Sequence, residues 1–271
     1  MKDRQKKRKW NWEKIISLFV LISMVLAIVA IVVIMFLAPS QHSESYPEGR
    51  IKSDYVLMLM QCILGVVAMF LPSILSKRWN IVFPSRMMVI YTLFLYAAIF
   101  LGEVRAFYYT VPHWDTILHT FSGAMLAILG YSVITLLNNT EKIPMNLSPL
   151  FVALFTLCFA VTIGVLWEIY EFTADGIMHT NMQKFGLEDG TPFLGREALS
   201  DTMKDLIVDT IGAFVVAVLG YLSLKFKTGW IDRLLLKTRK KHRTGCPAAQ
   251  NETVDDAVCD CGAGQDGGTQ E

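Results

Sequence analysis

The sequence predicts an all-α membrane protein, a bundle of about six transmembrane helices. Of its 271 residues, 53% are hydrophobic and only 18% are charged, whereas a soluble domain carries roughly 25% charged residues. The apolar residues form six long segments, and most charges lie between or beyond them. These two observations place the chain in a bilayer, because long apolar segments cannot all be buried in one soluble core.

The six apolar segments match or approach the length of a membrane-spanning helix, about 20 residues. They run over 15–37, 55–76, 87–102, 116–137, 150–172 and 206–226. The first is longer than the apolar part of a signal peptide, about 7–15 residues, so we interpret it as a retained anchor. The third reaches full length only if its helix continues to Arg105 or Tyr108, which brings Glu103 to the membrane edge.

The Lys and Arg residues predict how the chain is oriented. With the N-terminus inside, the inside pieces hold 19 of the 25 basic residues and the outside pieces hold 6. Inside loops of membrane proteins carry the excess of basic residues. We therefore expect a multi-pass protein of a bacterial or archaeal cell membrane with both termini in the cytoplasm.

Four regions follow from this topology. A basic cytoplasmic N-terminus covers 1–14, and a six-helix transmembrane domain covers 15–226, with an outside loop at 173–204. A basic amphipathic juxtamembrane segment covers 227–243, in which residues 230–241 suit a helix lying on an anionic inner leaflet. The remaining 244–271 are acidic and lack a large aliphatic cluster, which is typical of a disordered cytoplasmic tail.

The topology brings several acidic groups and one His to the outer membrane face. Many of these groups are spaced four residues apart, so they share a helix face. They are Glu103 at the end of the third segment, Asp115 and His119 in the fourth, Glu168, Glu171 and Asp175 at the end of the fifth, and Asp201, Asp205 and Asp209 at the start of the sixth. Carboxylates at the edge of hydrocarbon are costly and need partners or a function.

Converging carboxylates repel one another unless protons, basic side chains or a cation compensate them. One His with several carboxylates suits a divalent metal ion such as Mg²⁺, Mn²⁺, Ca²⁺ or Zn²⁺. The candidate metal ligands are Asp115, His119, Glu168, Glu171, Asp205 and Asp209, with Glu103, Asp175 and Asp201 as a second group, and Glu168 or His119 as the candidate general base.

Some of these residues also have purely structural interpretations. Asp115 suits the N-cap of the fourth helix, where a carboxylate is favoured. Glu103 can form an interfacial ion pair with Arg105. Glu168 and Asp209 lie within the apolar runs, where a structural role is harder to justify.

Three sequence elements resemble those of the YjdF-type family of predicted bacterial inner-membrane proteins, and more distantly of VanZ-like membrane proteins. The elements are Asp115-x3-His119, then Trp167-Glu168-Ile169-Tyr170-Glu171 followed by Asp175, then Asp201-x3-Asp205-x3-Asp209-x2-Gly212-Ala213. The resemblance covers about 103–220. It implies the membrane architecture and a polar site, and it implies no reaction, because the family has no established biochemical activity.

Three classes of function remain open. The first is an envelope protein that binds a cation, a lipid headgroup or a cell-wall headgroup. The second is a metal-dependent hydrolase or transferase acting on a lipid-linked substrate. The third, an ion-coupled transporter, is less favoured because transporter sites usually lie near the midplane between repeats. The net charge of +1 gives no reason to expect nucleic acid as a partner, and the sequence does not indicate the oligomeric state.

Overall fold

The protein is a bundle of membrane-length helices. The computed structural model describes residues 12–40, 50–138, 146–187, 191–231 and 233–238. Among these residues, six helical spans are long and apolar enough to cross a membrane, which confirms the predicted fold class. The predicted disordered tail, and nearly all of the basic N-terminus, lie outside the described residues.

Among the described residues, the helices are accompanied by one pair of two-residue strands. In chain order they are α1 (Trp12–Leu37), α2 (Lys52–Trp79), β1 (Ile81–Val82), α3 (Ser85–Leu95), a π-helical segment (Tyr96–Val104), α4 (Phe107–Thr110), α5 (Trp114–Asn138), α6 (Pro149–Met178), α7 (Arg196–Lys225) and β2 (Lys237–Thr238). The two strands pair antiparallel, with Ile81 opposite Thr238.

The helices extend beyond the apolar segments that predict them. Because α6 continues to Met178 and α7 begins at Arg196, the connection between them covers only 179–195 rather than the predicted 173–204. Hydropathy marks the part of a helix in hydrocarbon, whereas the backbone hydrogen bonds continue through the polar turns at its ends. Several of the acidic side chains therefore stand on rigid helices instead of on a loop.

The third span reaches its full length through the π-helical segment, which directly continues α3 as far as Val104. At its end the N–H of Arg105 donates to the carbonyl oxygen of Phe100, five residues back, at 3.0 Å. Ala106 then adopts a left-handed conformation, with φ of 57°, and the chain turns into α4. Glu103 is thereby buried near the end of this span.

The helices form two packed groups within the membrane domain. In the first group α1, α2, α3 and the π-helical segment share a core that includes Met24, Cys62 and Ile99. In the second, α5, α6 and α7 pack around small residues such as Ala127 and Ala213. Small residues let helix backbones approach closely in a bilayer, where packing drives helix association.

The closest approach in the second group is between α5 and α7. A Cβ atom added at Gly123 would collide with the backbone of Asp209, and one added at Gly212 would collide with the carbonyl of Thr120. Both positions therefore require glycine. This crossing sets Asp209 directly against the part of α5 that carries His119.

The described residues of the segment 230–241, for which a surface helix is suggested, are not helical. In its described part the chain makes turns and ends in β2. Ile231 and Leu235 are buried against Tyr131 and Ile134, so its apolar residues pack on the second helix group. The N–H of Leu236 donates to the hydroxyl of Ser132 at 3.3 Å, which ties the segment to α5. The amphipathic spacing of this segment could not show that its apolar residues pack against the helices of the same chain and not against a membrane surface.

The glycine crossing gives a stability prediction. Gly212→Ala should destabilise the protein by about 1–3 kcal/mol, because the added methyl group meets backbone on α5 and the two helices must separate. Gly176→Ala is the matched control, since a Cβ there meets nothing within 4 Å. That control should be neutral or stabilising by about 0.5–1 kcal/mol. Thermal unfolding in detergent measures both, and equal effects would exclude a tight crossing.

Candidate functional site

His119 lies between carboxylates on both sides of its ring. Its Nε2 atom is 3.6 Å from Asp115 Oδ1 and 3.9 Å from Asp205 Oδ2. Its Nδ1 atom is 3.4 Å from Asp209 Oδ2. The structure therefore brings together the predicted groups of α5 and α7, with one acid pair at one ring nitrogen and one acid at the other.

Asp209 is held in place by several contacts. Its Oδ1 atom accepts a hydrogen bond of 2.7 Å from the Ser122 hydroxyl, while Oδ2 faces His119. Its side chain also packs against Gly164 of α6, where a Cβ atom would lie 3.1 Å from Oδ2. In a neutral His119 whose proton is on Nδ1, that N–H donates a hydrogen bond to Asp209 Oδ2 and the lone pair of Nε2 points toward Asp115 and Asp205. A carboxylate at the second ring nitrogen is the usual way in which proteins orient a metal-binding His.

Three side chains form a group that could hold a metal ion. One ligand atom each from Asp115, His119 and Asp205 lies within 4.8 Å of the other two. An imidazole nitrogen with two carboxylate oxygens suits a borderline or hard divalent cation and leaves further coordination positions open. The side chain of Asp205 is only 7% exposed, so its charge needs compensation.

Glu168 of α6 is buried beside this group, and its carboxylate lacks a hydrogen-bond partner within the described part of the chain. Its exposure is 5%, and among the described residues neither of its carboxylate oxygens is hydrogen-bonded. Its electrostatic neighbours include His119 and Asp209. A buried polar group without a partner is expensive, so it calls for an explanation such as a catalytic role, a water or an ion.

Two further predicted residues lie next to the site. Glu171 is buried one turn after Glu168, and Asp201 is partly buried one turn before Asp205. Both line the cavity into which His119 and Asp205 also open. They stand outside the three-residue group around Nε2.

Glu103 is paired with Lys184, which corrects the suggested pair with Arg105. The Lys184 Nζ atom lies 3.2 Å from Glu103 Oε2, and it stands over the rings of Tyr108 and Tyr109 at 4.9 and 5.1 Å. Arg105 is exposed. One sequence feature could have marked Lys184: it is the single Lys or Arg residue in the connection between α6 and α7.

Lys184 keeps its charge although its side chain is only 14% exposed. Burial alone would lower the pKa of Lys184, but the carboxylate of Glu103 and the nearby Tyr109 hold that pKa above its usual value. Burial also raises the pKa of Tyr108 well above its usual value, with a further contribution from Asp115. Lys184 is thus an ammonium ion, and Tyr108 a neutral phenol, at neutral pH.

Asp175 organises the loop rather than the metal group. Its side chain accepts hydrogen bonds from the Thr180 hydroxyl at 2.6 Å and from the N–H groups of Met182 and Gln183 at 2.7 and 2.9 Å. These bonds fold the chain directly after α6. They carry Lys184 back to Glu103, so Asp175 acts on the site through the loop.

A cavity of about 430 Å³ begins at this site and continues between the two helix groups. Its polar end is formed by Asp115, His119, Glu171, Lys184, Asp201, Asp205 and Asp209. Most of its remaining wall is apolar. The candidate metal ligands therefore face a space large enough for a small molecule.

Comparison with known proteins identifies similar membrane proteins. Residues 18–226 match the family described as "Predicted membrane protein (DUF2238)". An uncharacterized protein from Thermotoga maritima is 30% identical over 164 residues, which cover 59% of this chain and 73% of that protein. No solved structure matches the chain. These comparisons do not confirm the names YjdF-type and VanZ-like.

The Lys184–Glu103 pair can be tested by removing one charge or both. Lys184→Met leaves Glu103 buried without its cation, so it should destabilise the protein by roughly 3–5 kcal/mol. The double variant with Glu103→Gln should recover part of this loss, because no uncompensated charge remains. Thermal unfolding in detergent measures both, with exposed Lys204→Met as the control. A loss no larger than that of the control would exclude the buried pair.

Proposed function

The chain belongs to the DUF2238 family of predicted membrane proteins, and from that premise we propose that it binds a divalent cation at Asp115, His119 and Asp205. The cation would be presented to the headgroup of a lipid or another cell-envelope molecule in the adjoining cavity. The observation that carries this proposal is the ring of His119, with two carboxylates at Nε2 and Asp209 at Nδ1.

The local balance of charge supports a bound cation. The site places several carboxylates around the single imidazole of His119, and Lys184 is already paired with Glu103. Separate negative charges in a poorly solvated site repel one another strongly. A divalent ion at Nε2 would offset two of them, and it would bring Glu168 close to a compensating charge.

The location of the site supports an envelope role. The metal group lies within the first turn or two of α5 and near the beginning of α7, so it is close to one end of the bundle. The distribution of Lys and Arg favours the outer membrane face for this end. We place both termini in the cytoplasm and the open positions of the cation toward the outer leaflet.

A second candidate function is a metal-dependent hydrolase or transferase acting on a lipid-linked substrate. The observation that favours it is the buried carboxylate of Glu168 beside the metal group, which makes no hydrogen bond to any residue that the structure describes. Such a group could take a proton from a metal-activated water. Turnover that persists after Glu168→Gln would exclude this role for Glu168.

Metal content tests the primary proposal. Protein purified in detergent and equilibrated with Mn²⁺ or Zn²⁺ should retain about one ion per chain, measured by elemental mass spectrometry after desalting. His119→Ala and Asp205→Asn should each abolish retention, because each removes one of only three protein ligands. Asp201→Asn and the exposed His179→Asn are matched controls and should retain the ion. Equal retention by all four variants would contradict the proposal.

The orienting role of Asp209 gives a different result. Asp209→Asn should weaken metal affinity by about 10–100-fold without abolishing it, as expected for a residue that positions a ligand. Affinity should also fall as the pH is lowered, because the imidazole and carboxylates bind metal only when deprotonated. Calorimetric titration of the wild type and the variant with metal, at several pH values, measures both effects on affinity. Complete loss of binding would instead make Asp209 a direct ligand.

A further inference from the structure

We propose that the cavity between the two helix groups holds the hydrocarbon chain of a single-chain lipid whose phosphate headgroup lies against the cation. The headgroup part of this inference rests on the proposed function. The part that concerns the hydrocarbon chain rests on the shape and lining of the cavity alone.

The cavity is polar at one end and apolar along the rest of its length. Asp115, His119, Asp205 and Lys184 lie at the polar end. The apolar wall comes from both helix groups and includes Leu71, Leu75, Met87, Phe94, Leu126 and Leu129. Leu234, from the segment that follows α7, lies at the far end. This distribution has the polarity of a lipid, with one charged end and one long apolar part.

The length of the cavity suits a lipid chain. On α5 its lining runs from Asp115 to Leu129, and on α2 it runs from Gln61 to Leu75. Each stretch advances about 21 Å along its helix, at 1.5 Å per residue. That exceeds half of the hydrocarbon core, about 15 Å. A chain held at the site can therefore lie extended between the helix groups.

The volume decides how many chains can enter. An engineered apolar cavity of about 150 Å³ holds one benzene molecule, which has six carbon atoms. By that measure the 430 Å³ here accommodates about 17 carbon atoms. Because this volume includes the polar end, it corresponds to one hydrocarbon chain together with its headgroup, and the two acyl chains of an ordinary phospholipid do not both fit inside it. The occupant is therefore a single-chain amphiphile.

The charges at the polar end select the headgroup. Without a cation, the carboxylates of Asp115, Asp205 and Glu171 would repel a phosphate. With a divalent ion held by three side chains, the remaining coordination positions are open to phosphate oxygens. Binding of a phosphate lipid should therefore require the metal, whereas a cationic headgroup would bind best without it.

The test uses hexadecyl phosphate as the probe and the full chain in nanodiscs, with bound probe counted by native mass spectrometry. Wild-type protein with Mn²⁺ should bind one probe molecule. Removing Mn²⁺, or introducing Asp205→Asn, should reduce binding at least 10-fold. Butyl phosphate should bind at least 10-fold more weakly than the long-chain probe, because it leaves the apolar part of the cavity unfilled.

Variants that fill the cavity separate this inference from the proposed function. Ala68→Phe and Ala98→Phe place a ring in the cavity from two different helices, so each should reduce probe binding at least 10-fold. Val67→Phe is the matched control, because Val67 is 59% exposed and lies outside the cavity lining. The metal content of all three should equal that of the wild type, which also shows that they are folded.

Each contrary result has a distinct meaning. Two results would overturn the inference about the hydrocarbon chain and leave the proposed function intact. The first is normal metal content with no probe binding, and the second is probe binding that neither cavity-filling variant reduces. Absence of metal binding in the wild type would overturn the proposed function and the phosphate assignment with it. Tighter binding of hexadecyltrimethylammonium without metal would also overturn the phosphate assignment.

Discussion

The arrangement of the site depends on the cost of burying carboxylates. Glu103, Glu168, Asp205 and Asp209 are each 4–6% exposed in a bundle that is otherwise largely apolar. Taking such groups out of water costs several kcal/mol each unless other charges or hydrogen bonds compensate them. The positions of His119, of the loop that carries Lys184 and of the close α5–α7 crossing all follow from this requirement, because each supplies a partner.

The partners of the buried carboxylates come from two separate places in the fold. On the second helix group, the glycine crossing lets Ser122 and His119 reach Asp209 directly. On the first group, Glu103 receives an ion-pair partner, Lys184, from the loop that Asp175 folds into place. Glu168 is left without a hydrogen bond among the described residues, so the contacts within the protein do not compensate every buried carboxylate.

The sequence predicted the parts of this structure that depend on depth and helix period. The spacing of Asp115 with His119, and of Asp205 with Asp209, placed each pair on one helix face before any contact was known. The role of Lys184 was not predictable, because it depends on how Asp175 hydrogen-bonds a loop. Nor could spacing separate Asp209, which faces Nδ1, from the two acids at Nε2. That difference depends on the rotation of one ring.

The pairing of β1 with β2 has a mechanical consequence. It joins the two helix groups at one end of α3, while the Lys184–Glu103 pair joins them near the end of the π-helical segment that continues α3. A hinge rotation that opens the two helix groups at one end would have to break the contact that joins them at that end. Between them, the groups are held by side-chain packing, such as the rings of Phe94 and Phe121 with centroids 6.0 Å apart. The two helix groups are therefore joined near both ends of the cavity. Their separation can change most easily midway between these two joints.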